Sequence, residues 1–122
     1  MLSVAPVYSE QLLLYTQTQK LIMTHEKIYL METGRSVKII VRGYNSPTES
    51  GIRITLEVLI KDPKEEYFHA PIGVLHPQFW KLKKMDNEKA RLLQITYSGI
   101  SQKQINRAVR EFEEIAASPV LL

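Results

Sequence analysis

Histidines and carboxylates lie close together in the middle of the chain, where they could hold a metal ion. His69 and His76 are separated by six residues, and Glu65 and Glu66 precede them. Imidazole nitrogens and carboxylate oxygens are zinc ligands, but this spacing matches no standard ligand pattern. The sequence therefore predicts two ordinary histidines here, and neither a metal site nor a bound cofactor.

Residue types that carry catalysis do not form a recognisable arrangement. The chain has no cysteine, so it offers neither a thiolate nucleophile nor a disulfide. No serine stands in a nucleophile-elbow context, and the five glycines are too scattered for a phosphate loop. Glu57 falls on the polar side of a predicted strand, where a cross-strand ion pair is expected. These features favour a non-catalytic protein.

Positive charge is concentrated between residues 80 and 110, which favours a polyanionic partner. This segment holds eight Lys and Arg residues and two Asp and Glu residues, whereas the rest of the chain is net negative. Nucleic acid is therefore the alternative partner. The side chains predicted to contact it are Lys81, Lys83, Lys84, Gln102, Lys103, Asn106, Arg107 and Arg110.

Residues 99–109, Gly-Ile-Ser-Gln-Lys-Gln-Ile-Asn-Arg-Ala-Val, resemble the turn and recognition helix of helix-turn-helix proteins of the lac-repressor type. The resemblance implies a helix that begins at Ser101 and lies in the major groove of DNA. The chain departs from the motif at Ile95, where a small residue is usual. A glycine C-cap, a capping box and an amphipathic helix packed on a sheet explain every residue of the motif, and the sequence favours this interpretation.

Three stretches rich in β-branched and aromatic residues predict the elements that position these groups. They are residues 26–32, 37–44 and 52–60, and polar or glycine-containing segments separate them. The pattern predicts three consecutive antiparallel strands, with a short fourth strand at 65–70. Residues 9–23 favour a helix capped by Ser9, although 12–18 also suit an edge strand, and His25 is expected in a turn.

Gly34 is expected in the first hairpin turn, within a loop made of either Thr33-Gly34 or Gly34-Arg35. Both loops pair even-numbered residues of the first strand with odd-numbered residues of the second. That register places Ile28 and Leu30 in the core beside Val37, Ile39 and Val41, and turns Tyr29 to the other face. The second face would be only partly polar, and its predicted interaction residues are Tyr29, Ile40 and Leu59.

Helices are predicted in the last third of the chain. Residues 78–85 follow Pro77 and suit a short helix, in which Phe79 and Trp80 would pack on the sheet. Asp86 is expected to cap a helix that Gly99 ends. A last helix begins at Ser101, and its apolar stripe is Ile105, Ala108, Val109, Phe112 and Ile115 or Ala116.

Length and composition are those of one globular domain. The chain has 122 residues, 44% of them hydrophobic and 24% charged, and a net charge of +3. No secretory signal or membrane-spanning run is recognised, so we expect a cytoplasmic protein with no membrane partner. The sequence predicts a single α+β domain over 1–122, a β-meander with C-terminal helices on one face. Its expected function is protein interaction or self-association.

Overall fold

The computed structural model describes residues 20–45 and 52–117, which contain three strands followed by three helices. The strands form an antiparallel sheet in the order β1-β2-β3, and the C-terminal helices pack against it. This arrangement confirms the predicted α+β class. The elements are β1 (Lys20–Leu30), β2 (Ser36–Asn45), β3 (Ile52–Lys61), α1 (Phe79–Leu82), α2 (Asn87–Ser98) and α3 (Gln102–Ala117).

Two compact units make up the described residues. Unit 1 contains 20–24, 42–45 and 52–55; Gly43 is buried there, whereas Leu21, Ile22 and Ile52 are exposed. Unit 2 contains 25–41 and 56–117, with all three helices and most of the apolar core. The buried apolar residues of unit 2 are Val37, Ile39, Ile40, Val41, Val58, Ile60, Ile72, Ile100, Ile105, Ala108 and Phe112.

The turn between β1 and β2 has three residues, one more than either predicted loop. Met31 N–H donates to the Arg35 carbonyl at 2.8 Å, and Gly34 N–H donates to the Met31 carbonyl at 2.9 Å. Gly34 has the expected positive φ, 93°. A β-turn followed by a left-handed residue is the usual form of a three-residue hairpin loop. Residues 32–34 therefore form the loop, and Met31 pairs with Arg35.

This longer loop reverses the face to which β1 side chains point. Odd-numbered residues of β1 now lie opposite odd-numbered residues of β2, because a shift of one residue exchanges the two faces of a strand. Ile28 is 54% exposed and Leu30 is 76% exposed, whereas Ile39 is fully buried. The prediction that Ile28 and Leu30 belong to the core is therefore wrong. Tyr29 points instead toward α3.

The predicted caps of α2 and α3 are confirmed. The Asp86 carboxylate accepts a hydrogen bond from Lys89 N–H at 2.8 Å, and Gly99 ends α2 with a φ of 85°. Ser101 and Gln104 form a capping box: Gln104 N–H donates to the Ser101 hydroxyl at 3.2 Å, and Ser101 N–H donates to the Gln104 side-chain oxygen at 3.0 Å. The buried stripe of α3 is Ile105, Ala108 and Phe112.

Several local predictions need correction. Residues 20–23 and His25 belong to β1 and not to a helix or turn, while 9–19 lie outside the described residues. The expected fourth strand is a single bridge, in which His69 pairs with Ile60 along β3. Helix α1 is shorter than the predicted 78–85, and Trp80 is 61% exposed instead of packed in the core. Among the helices in the described ranges, none is long and apolar enough to cross a membrane.

Candidate functional site

The outer face of β1 in unit 2 carries aliphatic side chains, while the face toward α3 carries polar ones. Ile28 and Leu30, which we call the β1 patch, are exposed. His25, Lys27 and Tyr29 point the opposite way and are half-buried. An antiparallel strand that covers a core normally shows the reverse pattern, apolar inward and polar outward. The tertiary fold of the described residues therefore leaves the apolar side of this strand facing solvent.

Helix α3 provides hydrogen-bond partners for the polar side chains of β1. One Glu111 carboxylate oxygen lies 3.0 Å from Lys27 Nζ, and the other lies 3.2 Å from His25 Nε2. These hydrogen bonds, first from Lys27 and then from His25, lower the pKa of Glu111. The Tyr29 hydroxyl donates to the Gln104 carbonyl at 3.3 Å. The inverted strand is thus held by specific polar contacts, which fix its orientation.

The backbone of β1 also presents hydrogen-bonding groups at an open edge. In the order β1-β2-β3, the strands in the described ranges leave β1 with a neighbour on one side only. Met31 N–H points toward β2, because it bonds to the carbonyl of Arg35 next to the start of that strand. Alternation along an antiparallel ladder therefore directs the N–H and C=O groups of Ile28 and Leu30 away from β2. The β1 patch therefore combines exposed aliphatic side chains with outward-facing peptide groups.

The structure does not place the interaction residues predicted from sequence together on an exposed face of the sheet. Tyr29 faces α3, and Ile40 is only 5% exposed, so neither forms a free surface. Leu59 is half-buried. The aliphatic residues exposed on this part of β1 are instead Ile28 and Leu30, which the sequence assigned to the core. Both predicted loops have two residues whereas the turn has three, and this difference decides which side chains of β1 are exposed.

The exposed face of α3 gathers five of the eight predicted nucleic-acid contacts. The five are Gln102, Lys103, Asn106, Arg107 and Arg110, and they line one surface cavity of about 750 Å³. The other residues that line this cavity are Tyr29, Gln104, Glu111 and Glu114. The Gln102 amide donates to the Asn106 side-chain oxygen at 2.8 Å. The Arg107 side chain is 73% exposed, and its Nε lies 3.8 Å from Glu111. The side chains are therefore available to a ligand.

The remaining three predicted contacts lie elsewhere. Lys81 is in α1, and Lys83 and Lys84 follow it; none of them lines the α3 cavity. The Lys83 ammonium group lies 5.4 Å from the ring centroids of both Phe79 and Trp80, within the range of cation–π attraction. The structure thus separates the basic segment into two groups of cations.

Arg35 forms a cluster that the sequence did not reveal. Its Nε and Nη2 lie 2.6 Å and 3.2 Å from the two carboxylate oxygens of Asp62, and its Nη1 donates to the Tyr97 carbonyl at 3.1 Å. This pairing raises the pKa of Arg35 and lowers the pKa of Asp62, in both cases mainly through the side-chain hydrogen bond. The guanidinium therefore joins the hairpin, the end of β3 and the C-terminus of α2.

This cluster borders a cavity of about 610 Å³, which Met31, Glu32, Thr33, Ser98 and Gly99 also line. All three guanidinium nitrogens of Arg35 donate to acceptors within the protein, so its role is to stabilise the fold and not primarily to bind a ligand. No sequence spacing links Arg35 to Asp62, since 27 positions separate them. The one available signal is that both residues flank turns at strand ends.

The two central histidines do not meet. His69 Nδ1 lies 2.7 Å from the Ala70 carbonyl, and its Nε2 lies 2.9 Å from the Glu65 carboxylate. The Glu65 hydrogen bond raises the pKa of His69, because both ring nitrogens then donate. The His76 ring instead packs edge-on against Tyr97, with centroids 4.6 Å apart. Within 20–45 and 52–117, no three His, Asp or Glu side chains are grouped to hold a metal ion.

Comparison of the chain with models of protein families, with curated proteins and with solved structures found no match.

Proposed function

We propose that the protein is an interaction module that self-associates through the β1 patch. The observation that carries this proposal is the inverted strand: Ile28 and Leu30 are exposed while the polar side of β1 is satisfied by α3. Exposed aliphatic side chains beside an open strand edge favour pairing with another strand. A second copy of the chain supplies an identical edge and is the partner we assign.

The geometry suits an antiparallel, two-fold arrangement. Residues whose peptide groups face the open edge are the even-numbered ones, so Ile28 and Leu30 would bond directly to the partner strand. The same two side chains would then meet their copies on one face of a continuous sheet. A closed two-fold contact of this kind uses the same patch on both subunits and leaves no edge on β1.

The expected affinity follows from the exposed apolar surface. A fully exposed Ile or Leu gains about 1.5–3 kcal/mol on burial, and the exposed fractions here are 54% and 76%. Two copies would together gain about 6 kcal/mol from the four side chains. Association costs at least about 4 kcal/mol, so the aliphatic contacts and edge hydrogen bonds give a weak dimer. We expect a dissociation constant in the high micromolar to millimolar range.

Light scattering coupled to size exclusion over a series of concentrations tests the proposal. The wild-type mass should rise toward a dimer, and Ile28→Lys should return it to a monomer, because two charged side chains would be placed within the apolar contact. Ile115→Lys is the matched control, since Ile115 is 50% exposed but lies on α3. A wild-type protein that stays monomeric at all concentrations would refute self-association. An equal effect of both variants would refute the assignment to β1.

A second function, nucleic-acid binding, is favoured by the exposed face of α3. Lys103, Arg107 and Arg110 line one cavity with two amide side chains that can read base edges. Glu111 and Glu114 lie in the same cavity, and the charge of Glu111 is balanced from β1 by Lys27. Duplex DNA binding by this face would weaken steeply with salt, because each phosphate contact releases counterions.

A fluorescence-anisotropy titration with labelled duplex DNA distinguishes this second function. The double variant Lys103→Ala, Arg107→Ala should bind much more weakly, and its salt slope should be smaller by about two. The double variant Arg53→Ala, Lys64→Ala removes the same charge from exposed positions outside α3 and should retain the salt slope. Absence of binding at low salt, or equal loss in both double variants, would exclude recognition by α3.

A further inference from the structure

A tight turn between the sheet and α1 exposes aliphatic residues at its corner. His76 N–H donates to the Gly73 carbonyl at 2.9 Å, so Val74 and Leu75 occupy the two central positions. Val74 is 58% exposed and Leu75 is 96% exposed. Turn corners usually carry Pro, Gly, Asn, Asp or Ser, whose backbone preferences or hydrogen bonds suit the bend. Neither valine nor leucine offers such a reason for its place here.

The turn is anchored on both sides, which holds its apolar corner outward. Ile72 is 3% exposed, and the His76 ring packs against Tyr97 of α2. The His76 carbonyl accepts from Phe79 N–H at 2.9 Å and so joins the turn to α1. Because the flanking residues are fixed by packing, the exposed corner is a defined feature of the surface.

Trp80 and three lysines follow this corner. Trp80 is 61% exposed, and Lys81, Lys83 and Lys84 are also exposed. From 67 to 85 the sequence contains no Asp or Glu, so these lysines are uncompensated by acids in their own segment. An exposed aliphatic corner, an amphipathic indole and adjacent lysines combine the three side-chain types that attach proteins to anionic membrane surfaces.

We infer that the corner formed by Val74 and Leu75, together with Trp80 and Lys81, Lys83 and Lys84, attaches the protein to an anionic lipid surface. The aliphatic side chains would enter the acyl boundary, the indole would lie at the headgroup level, and the ammonium groups would contact phosphates. A lipid surface fits better than a polyanion such as nucleic acid, because phosphate contacts give no role to Val74 and Leu75. The expectation of no membrane partner rested on the lack of a membrane-spanning run, whereas this attachment is to the membrane surface. It is independent of both functions proposed for β1 and α3.

Trp80 allows a direct test, because it is the single tryptophan in the chain. The full chain is titrated with vesicles of phosphatidylcholine alone and with vesicles of phosphatidylcholine and phosphatidylserine in equal parts. With the anionic vesicles, Trp80 emission should shift to shorter wavelength and be quenched by brominated acyl chains. Single-stranded DNA is titrated in parallel, since bases can stack on exposed aromatic rings.

Two variants separate the contributions of the corner and the lysines. Val74→Ser with Leu75→Ser should weaken vesicle partitioning about 50-fold or more through lost apolar burial. Neutralising the three lysines with glutamine should weaken it about 100-fold, since each cation near an anionic surface contributes a few-fold in partitioning. Leu92→Ser with Ile115→Ser removes half-exposed aliphatic groups from α2 and α3 and should leave partitioning unchanged. Circular dichroism checks that each variant is folded.

Three outcomes would overturn the inference. The first is no change in Trp80 emission with anionic vesicles at low salt. The second is binding that the lysine variant abolishes but the corner variant leaves intact, which indicates a general polyanion site. The third is a response to single-stranded DNA without one to vesicles, which assigns the aromatic and lysine groups to nucleic acid.

Discussion

Replacing Arg35 by alanine tests whether one side chain holds together the hairpin, the end of β3 and the end of α2. Its guanidinium donates to both carboxylate oxygens of Asp62 and to the carbonyl of Tyr97, and it lies near the carbonyl of Ser98 at 3.5 Å. The last two acceptors belong to the final turn of α2, where a cation also interacts favourably with the helix dipole. Arg35→Ala would remove all these contacts at once.

The expected loss is about 2 kcal/mol in the free energy of unfolding. Exposed ion pairs contribute below about 1 kcal/mol, whereas hydrogen bonds to charged groups contribute about 1.5–3 kcal/mol. The Arg35 side chain is 23% exposed and that of Asp62 is 40% exposed, so we assign about 1 kcal/mol to their two-pronged pair. The contacts to the end of α2 add about 0.5–1 kcal/mol. Arg35→Lys keeps the charge but not the forked geometry and should lose about 1 kcal/mol.

Urea denaturation followed by circular dichroism measures these changes. A double-mutant cycle with Asp62→Asn should give a coupling energy of about 1 kcal/mol, which separates the pair from the contacts with α2. Arg107→Ala is the matched control, because Arg107 is 73% exposed and lies 3.8 Å from its acidic neighbour. The reasoning is refuted if Arg35→Ala and Arg107→Ala are equally mild, or if the cycle shows no coupling.

Three further predictions concern the hairpin turn, the ion pair of His69 with Glu65, and a helix cap. Gly34→Ala should lower the free energy of unfolding by about 2 kcal/mol, because φ is 93° and the added Cβ would lie 2.9 Å from Pro63 Cγ. Urea denaturation measures this loss, and an unchanged midpoint would contradict the turn geometry. The raised pKa of His69 stabilises the protein below the ordinary histidine pKa, and this contribution is lost as pH rises through the raised value. The pKa of Glu65 is lowered first by the hydrogen bond from Asp62 N–H and then by that from His69, so its contribution to stability is lost as the pH falls through the lowered value. In Glu65→Gln, the pKa of His69 measured by NMR titration should move toward its ordinary value, and an unchanged pKa would contradict the pairing. Asp86→Ala removes the N-cap of α2 and should cost about 1 kcal/mol, and an unaffected thermal midpoint would show that the cap is dispensable.

Local chemistry allowed the sequence to predict the helix ends and the general class of fold. Asp86, Gly99 and the capping box of Ser101 and Gln104 act through contacts within a few residues, so their roles can be recognised without the rest of the molecule. The buried stripe of α3 follows from helical periodicity for the same reason. The candidate contacts from Gln102 to Arg110 are exposed together because they occupy the opposite side of that stripe.

The faces of β1, by contrast, were decided by tertiary structure. A loop of two residues and a loop of three differ by one position, yet that position exchanges the buried and exposed sides of the strand. Once Met31 pairs with Arg35, the polar side of β1 meets Glu111 of α3, 84 positions from Lys27, and the aliphatic side faces outward. Interactions over such distances in sequence leave no periodic pattern, so the β1 patch and the Arg35 cluster could be found only in the folded chain.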